Sequence, residues 1–148
     1  MIERLLLLKR VPLKPDLALL LLRIVFSVYL FVKHGLVDLT TFGALSHSFK
    51  DPIHIGPLPT LVLATISDAI CAVLILFGLA TRWAALYTVL IHFVAVALVF
   101  HFNLIGPHAN ADVVMQYSGA GLALYFMGAG KYSLDAMIHG ARQPQPAV

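Results

Sequence analysis

The sequence predicts an all-α fold: an integral membrane four-helix bundle with both the N- and C-termini cytoplasmic. Three observations predict it. Hydrophobic residues make up 60% of the 148 positions and charged residues only 11%, whereas a soluble domain carries about 25% charge. The apolar residues fall into long runs of the length that a bilayer core of about 30 Å requires. The ten Lys and Arg residues lie mainly at the edges of those runs, as membrane anchors do. That placement argues against nucleic-acid binding, which the net charge of +3 would otherwise invite.

Residues 1–15 read as an interfacial amphipathic segment. Leu5, Leu6, Leu7 and Leu8 are followed by Lys9 and Arg10, a pattern that lies on an anionic lipid surface. The run is too short for a cleavable signal sequence. Pro12 and Pro15 separate it from a four-transmembrane-helix domain over residues 16–129. The first span is expected at about 17–37, with Asp16 suited to an N-cap. A loop with Gly43, Pro52, Gly56 and Pro57 comes next. The second span is expected at about 59–80, with Pro59 in its first turn. After the Thr81-Arg82 turn comes a third span at about 83–102. A Gly-Pro loop around Gly106 and Pro107 leads to the shortest span, at about 113–128. Gly119 and Ala123 on it form a small-xxx-small pair suited to close helix packing. Residues 130–148 read as a cytoplasmic tail that frays into disorder.

Orientation is set by the basic residues. With the N-terminus inside, the inner side holds Arg4, Lys9, Arg10, Lys14, Arg82, Lys131 and Arg142, and the outer side holds only Lys33 and Lys50. An excess of this kind sets topology.

Ionisable groups at membrane depth are expensive and face the protein interior. The first span carries Arg23, Tyr29 and His34, the second Asp68, the third His92 and His101, and the fourth Tyr117. At 1.5 Å per residue, Arg23 and His92 lie about 9 and 13 Å from the inner face, Asp68 about 18 Å, and His34 and His101 about 25 Å. Tyr117 falls about 6 Å below the outer face. The sequence therefore predicts an outer polar layer of His34, Asp68, His101 and Tyr117 and an inner layer of Arg23 and His92. Asp68 carries the most information. A carboxyl near the bilayer centre must be protonated, paired or wet, and Arg23, His34 and His101 are its possible partners. His92 and His101 are nine residues apart and fall on opposite helix faces. The seven histidines form no HxxxH or ExxH pair; His34 and His101 at equal depth could hold haem or a metal between helices, but nothing in the spacing demands it and no metal ligand is assigned. The lone Cys71 excludes an intrachain disulfide and a CxxC pair. No nucleophile elbow, phosphate loop or zinc pattern occurs.

Three stretches carry a resemblance. Leu22-Arg23-Ile24-Val25-Phe26-Ser27 leads to Phe31-Val32-Lys33-His34-Gly35. Gly78-Leu79-Ala80-Thr81-Arg82-Trp83-Ala84-Ala85 comes after the second span. Gly128-Ala129-Gly130-Lys131-Tyr132-Ser133-Leu134-Asp135 comes after the fourth. In this order they resemble the DoxX family of small bacterial and archaeal membrane proteins. The chain departs from that family in carrying Asp68 where a glutamate is usual, and in a longer, more histidine-rich first loop. The resemblance implies a multi-pass protein of a bacterial or archaeal cell (inner) membrane. Relatives include a subunit of a thiosulfate:quinone oxidoreductase and partners of oxidative-stress enzymes.

The expected function is that of a quinone-linked redox subunit. Asp68, His34 and His101 would be catalytic. Tyr117, Tyr29, Arg23 and His92 would line the cofactor site. Quinone is the expected cofactor, and a redox-enzyme partner or a second copy of the chain the expected associate within the lipid bilayer. The alternatives are a non-catalytic scaffold for a redox complex and a small-solute or proton-coupled transporter.

Overall fold

The computed structural model describes residues 14–103 and 111–140. The surface segment expected at residues 1–15 lies almost wholly outside them, as do His108 and the end of the tail. All regular elements among the described residues are helical: α1 (Pro15–Thr40), α2 (Phe42–Leu45), α3 (Pro57–Phe77), α4 (Thr81–Val99), α5 (Ala111–Met127) and α6 (Leu134–His139).

Three of these, α1, α3 and α4, are long and apolar enough to cross a membrane. α5 has 17 residues, about 26 Å at the α-helical rise. Beside an apolar core, the structure buries several polar side chains and turns many large apolar ones outward. Arg23, Ser27, Ser67, Asp68, Thr88 and His92 are buried, whereas Val25, Ile70, Phe77, Trp83 and Phe126 are exposed. Only an apolar solvent accommodates that arrangement.

Each spanning helix contains one stretch of wider π-helical turns: Phe31–Gly35 in α1, Ile66–Cys71 in α3 and Ala95–Val99 in α4. Such turns concentrate at functional sites, where they re-aim neighbouring side chains. The π turn of α1 packs on that of α3, which also packs on α4. The contact is backbone to backbone: a Cβ on Gly35 would lie 2.3 Å from the carbonyl oxygen of Asp68. α5 lies along α4 and touches α1. The glycine that permits its approach is Gly121, where a Cβ would come within 2.7 Å of Val89. Gly119, the expected packing residue, is exposed and a Cβ there would meet nothing within 4 Å.

The chain after α5 does not fray at Gly130. It folds back under the helices as a hook. Lys131 N–H donates to Asp16 Oδ1 at 3.0 Å, so the carboxylate expected to cap α1 holds the hook instead. Ser133 caps α6 through Ala136 N–H at 3.1 Å. Asp135 accepts from the N–H groups of Ala80 (2.8 Å) and Thr81 (3.0 Å) at the start of α4, and its own N–H donates to the Gly78 carbonyl at 2.9 Å. The first N–H groups of a helix have no intrahelical partner and are commonly capped by a nearby side chain; here a distant carboxylate does so.

At the opposite end, Asp51 organises the loop before α3. Its carboxylate accepts from Ile55 N–H (3.1 Å), Gly56 N–H (2.6 Å) and the Thr60 hydroxyl (2.9 Å). Desolvation acts to raise its pKa, but these hydrogen bonds outweigh it and hold the carboxyl below its ordinary 3.8.

Two outcomes are expected. Gly35→Ala forces α1 and α3 apart and costs about 1–3 kcal/mol, read as a lower unfolding midpoint in detergent; an unchanged midpoint would contradict the contact. Because the folded Asp51 carboxyl lies below its unfolded value, its stabilisation is complete above the unfolded value and is lost as pH falls through the folded one. The protection of the Ile55 and Gly56 amides, their exchange relative to an unfolded chain at the same pH, should therefore fall in acid only, and Asp51→Asn should remove that pH dependence.

Candidate functional site

The π turn of α3 carries Ser67 and Asp68 inward, and both are buried. α4 presents His92 to them, with Nε2 3.8 Å from Asp68 Oδ1. The other ring nitrogen of His92 is 2.8 Å from the Thr88 carbonyl. A carbonyl only accepts, so Nδ1 carries a proton and donates it. That assignment leaves Nε2 as a bare lone pair in the neutral ring. A lone pair facing a carboxylate is repulsive, so the pair is attractive only with one further proton, on Asp68 or on Nε2.

Tyr117 of α5 is the hub of the aromatic groups. Its ring centroid is 5.3 Å from that of His92 and 5.5 Å from that of His34, both edge-on. Tyr29 and Phe26 of α1 lie 6.0 and 6.2 Å away. Tyr117 is buried, His34 is half-buried, and Tyr29 is exposed on the outside of α1. Asp68 Oδ1 and Tyr117 OH are buried in this layer without a hydrogen-bond partner in the protein, and the buried hydroxyls of Ser67 and Thr88 have only the side chains of Asp68 and Cys71 within reach. A buried polar atom left without a partner costs about 1–3 kcal/mol. Together these groups on three helices make a buried polar cluster, the chamber of the site, whose hydrogen-bonding capacity is not fully used within the protein.

The structure thus brings His34, Asp68, His92 and Tyr117 together, with Tyr29 at the rim. It moves His92 out of the inner layer. α3 ends at Phe77 and α4 begins at Thr81, so Asp68 and His92 lie about 14 and 17 Å from that end. Shifts of two or three residues in the helix ends had separated them. His101 does not join the chamber: it is exposed beyond the end of α4, in a left-handed conformation with φ of 47°. Arg23 belongs to the other end. It is 1% exposed, and its Nη2 donates to the Tyr132 carbonyl. Gly78, with φ of 71°, leaves the space its guanidinium fills. Ser27 donates to the Arg23 carbonyl, and Asp135 lies within electrostatic reach.

Sequence reasoning passes over Ser67, Thr88 and Asp38. Thr88 is detectable as the residue four before His92, one helical turn away. Asp38 reads as a loop residue, but α1 continues to Thr40 and buries it.

A family model described as DoxX matches residues 18–101, more than half of the chain. The match includes Arg23, His34, Asp68 and His92 and ends before Tyr117. No curated protein and no solved structure matches the chain.

A double-mutant cycle tests the central pair. Asp68→Asn and His92→Phe should be coupled by roughly 1 kcal/mol or more in unfolding free energy, as contacting residues are. Strictly additive effects would place the two side chains apart.

Proposed function

This chain belongs to the DoxX family, and from that premise we propose that it is the membrane subunit of a quinone-linked redox system, with the Asp68–His92 pair as its proton-handling centre. The observation that carries the reading is the pair itself: a carboxylate and an imidazole in an apolar setting, with the free ring nitrogen 3.8 Å from the carboxylate oxygen.

The residues present suit a quinone headgroup. Such a group needs hydrogen-bond donors at its carbonyls and a proton source, inside apolar walls. Tyr117 OH is a buried donor without a partner. His34 stands edge-on to it and offers a second donor. Phe26 and Leu30 supply apolar walls. Tyr29, half exposed on α1 beside Tyr117, marks the side open to the bilayer, from which a lipid-soluble molecule enters. A bound quinone supplies a couple that takes up protons with electrons. Asp68 and His92 hold the proton, Tyr117 and His34 orient the carbonyls, and Ser67 and Thr88 complete the polar lining. Electrons come from a partner redox protein. His101 has no role in this reading, and Arg23 serves assembly.

The same reading includes a four-helix bundle in which α5 is the fourth span, with both termini on the cytoplasmic side of a bacterial or archaeal cell membrane. The excess of Lys and Arg at the end bearing Arg82 and Lys131 supports that orientation.

A second reading, a non-catalytic scaffold that recruits redox enzymes, has its own support. The stretches that carry the family resemblance meet at Arg23 and the hook, far more than at the chamber. One experiment separates the two. Protein purified in mild detergent is assayed by mass spectrometry and absorption for bound quinone. Wild type should retain it, and Asp68→Asn and Tyr117→Phe should lose most of it while remaining folded and monodisperse in the same detergent. Wild type without quinone, or quinone retained equally in both variants, favours the scaffold.

A further inference from the structure

We propose that the proton of the Asp68–His92 pair is exchanged with one face of the membrane only, the face bearing the loop of residues 41–56, through His34 and Asp38. The inference rests on the pair being a proton-holding site and does not require the quinone.

Asp38 is the informative residue. It lies near the end of the long helix α1, where a carboxylate could reach water or headgroups, yet it is only 8% exposed. Exposed Leu36, Val37 and Leu39 flank it on the outside of the helix. It comes four residues after His34, so the two side chains share one face about one turn apart. Asp38 and Asp68 lie within electrostatic reach of each other. His34 in turn feels Asp68 of α3, His92 of α4 and Lys33 of its own helix, and its ring meets Tyr117 of α5. The titratable groups therefore run from the end of α1 to the chamber: Asp38 and His34 on one face of α1, each within electrostatic reach of Asp68, then Asp68 with His92. Buried carboxyl and imidazole groups in sequence are the elements of a proton relay.

The other direction is closed. Toward the Arg23 end, the chamber gives way to a core of Cys71, Ala72, Ile75, Ala84, Ala85 and Leu124, all buried. Beyond that layer lies the buried guanidinium of Arg23, a fixed positive charge that repels an incoming proton. An apolar layer and then a cation make a poor entry path; a carboxylate and an imidazole make a good one.

The step balances without electrons. Asp38 takes a proton from water and passes it to one ring nitrogen of His34. His34 releases a proton from its other nitrogen toward the pair, and the ring then resets. One proton enters and one arrives.

The test uses the full chain in sealed vesicles with uniform insertion. The readout is the infrared signal of the Asp68 carboxyl, identified as the band that Asp68→Asn removes. A pH jump on the side of loop 41–56 should shift it promptly, and the same jump on the Arg23 side should not. Asp38→Asn should slow the response about tenfold or more, as loss of a proton-transfer group does, and leave its final amplitude intact. Asp38→Glu should restore the rate. A response driven from the Arg23 side, or an Asp38→Asn rate equal to wild type, overturns the proposal. Should Asp38→Asn fail to insert, the sidedness of the wild-type response decides the matter alone. Absence of quinone from the purified protein would leave this sidedness unaffected, so the two proposals fail separately.

Discussion

The burial of one guanidinium organises one end of this molecule. Arg23 is 1% exposed in a helix otherwise faced with apolar groups. A charge so placed is tolerable only when the protein supplies polar groups around it. One comes from the chain beyond α5: the Tyr132 carbonyl accepts from Arg23 Nη2, while Nε and Nη1 have no hydrogen-bond partner in the protein, and that contact requires residues 130–135 to lie beneath α1. That position requires Gly78, because any side chain there would collide with the guanidinium and with Ser133. With the hook in place, Asp135 reaches the open N–H groups of Ala80 and Thr81, and Asp16 reaches Lys131. One buried charge therefore accounts for a left-handed glycine, a helix cap supplied from more than 50 residues away and a tail that is folded. Each of the three stretches that resemble the DoxX family contributes to this assembly, through Arg23, through Gly78 to Thr81, and through residues 130–135, whereas His34 and Gly35 of the first stretch lie at the other end.

Fixing that end has consequences at the other. α1, α3 and α4 leave the anchored region as α-helices, and each changes to π-helical turns further along. A π turn inserts extra chain and so rotates the rest of the helix about its axis. In α3 it turns Ser67 and Asp68 inward together, although neighbours in an α-helix point about 100° apart. In α1 it sets Gly35 against the Asp68 carbonyl. The polar chamber thus occupies the stretch where the helices depart from regular geometry, next to a stretch where the hook holds them. Rigid support on one side and locally widened turns on the other is a physically coherent way to orient buried polar groups.

Much of this is legible in the sequence, and the misses have physical causes. The all-helical character and the apolar spans are dictated by run length and composition, because lipid leaves few alternatives for the backbone. His34, Asp68 and Tyr117 fall into one layer by simple counting of rise per residue. His92 is misplaced by that counting because it depends on where α3 stops and α4 starts, and helix ends are the least determined feature of a sequence. His101 is misplaced because the chain leaves α4 after Val99 and turns left-handed at His101 and Phe102. Gly121 rather than Gly119 meets α4, since spacing shows which residues share a face but not which face meets a neighbour. The hook escapes notice because its residues are polar and glycine-rich, a composition typical of disorder. Only the long-range partners Asp16, Arg23 and Gly78 order it, and no local pattern reveals them.

The tautomer of His92 links the fold to the chemistry. Thr88 lies one turn before His92 on the same helix, so its carbonyl is held under Nδ1 by the helix itself. The ring is left with one free nitrogen, and that nitrogen faces Asp68. With one proton between them the pair carries no net charge, whether the proton sits on the carboxyl oxygen or on the ring nitrogen. Without it, a full negative charge remains among apolar groups, a costly state. A proton therefore leaves the pair readily only toward a group that is gaining negative charge beside it, or in exchange for another proton. In the reading proposed above, either case lets the pair couple proton movement to a second event. Tyr117, with its ring against His92 and its hydroxyl unpartnered, stands where that second event would take place.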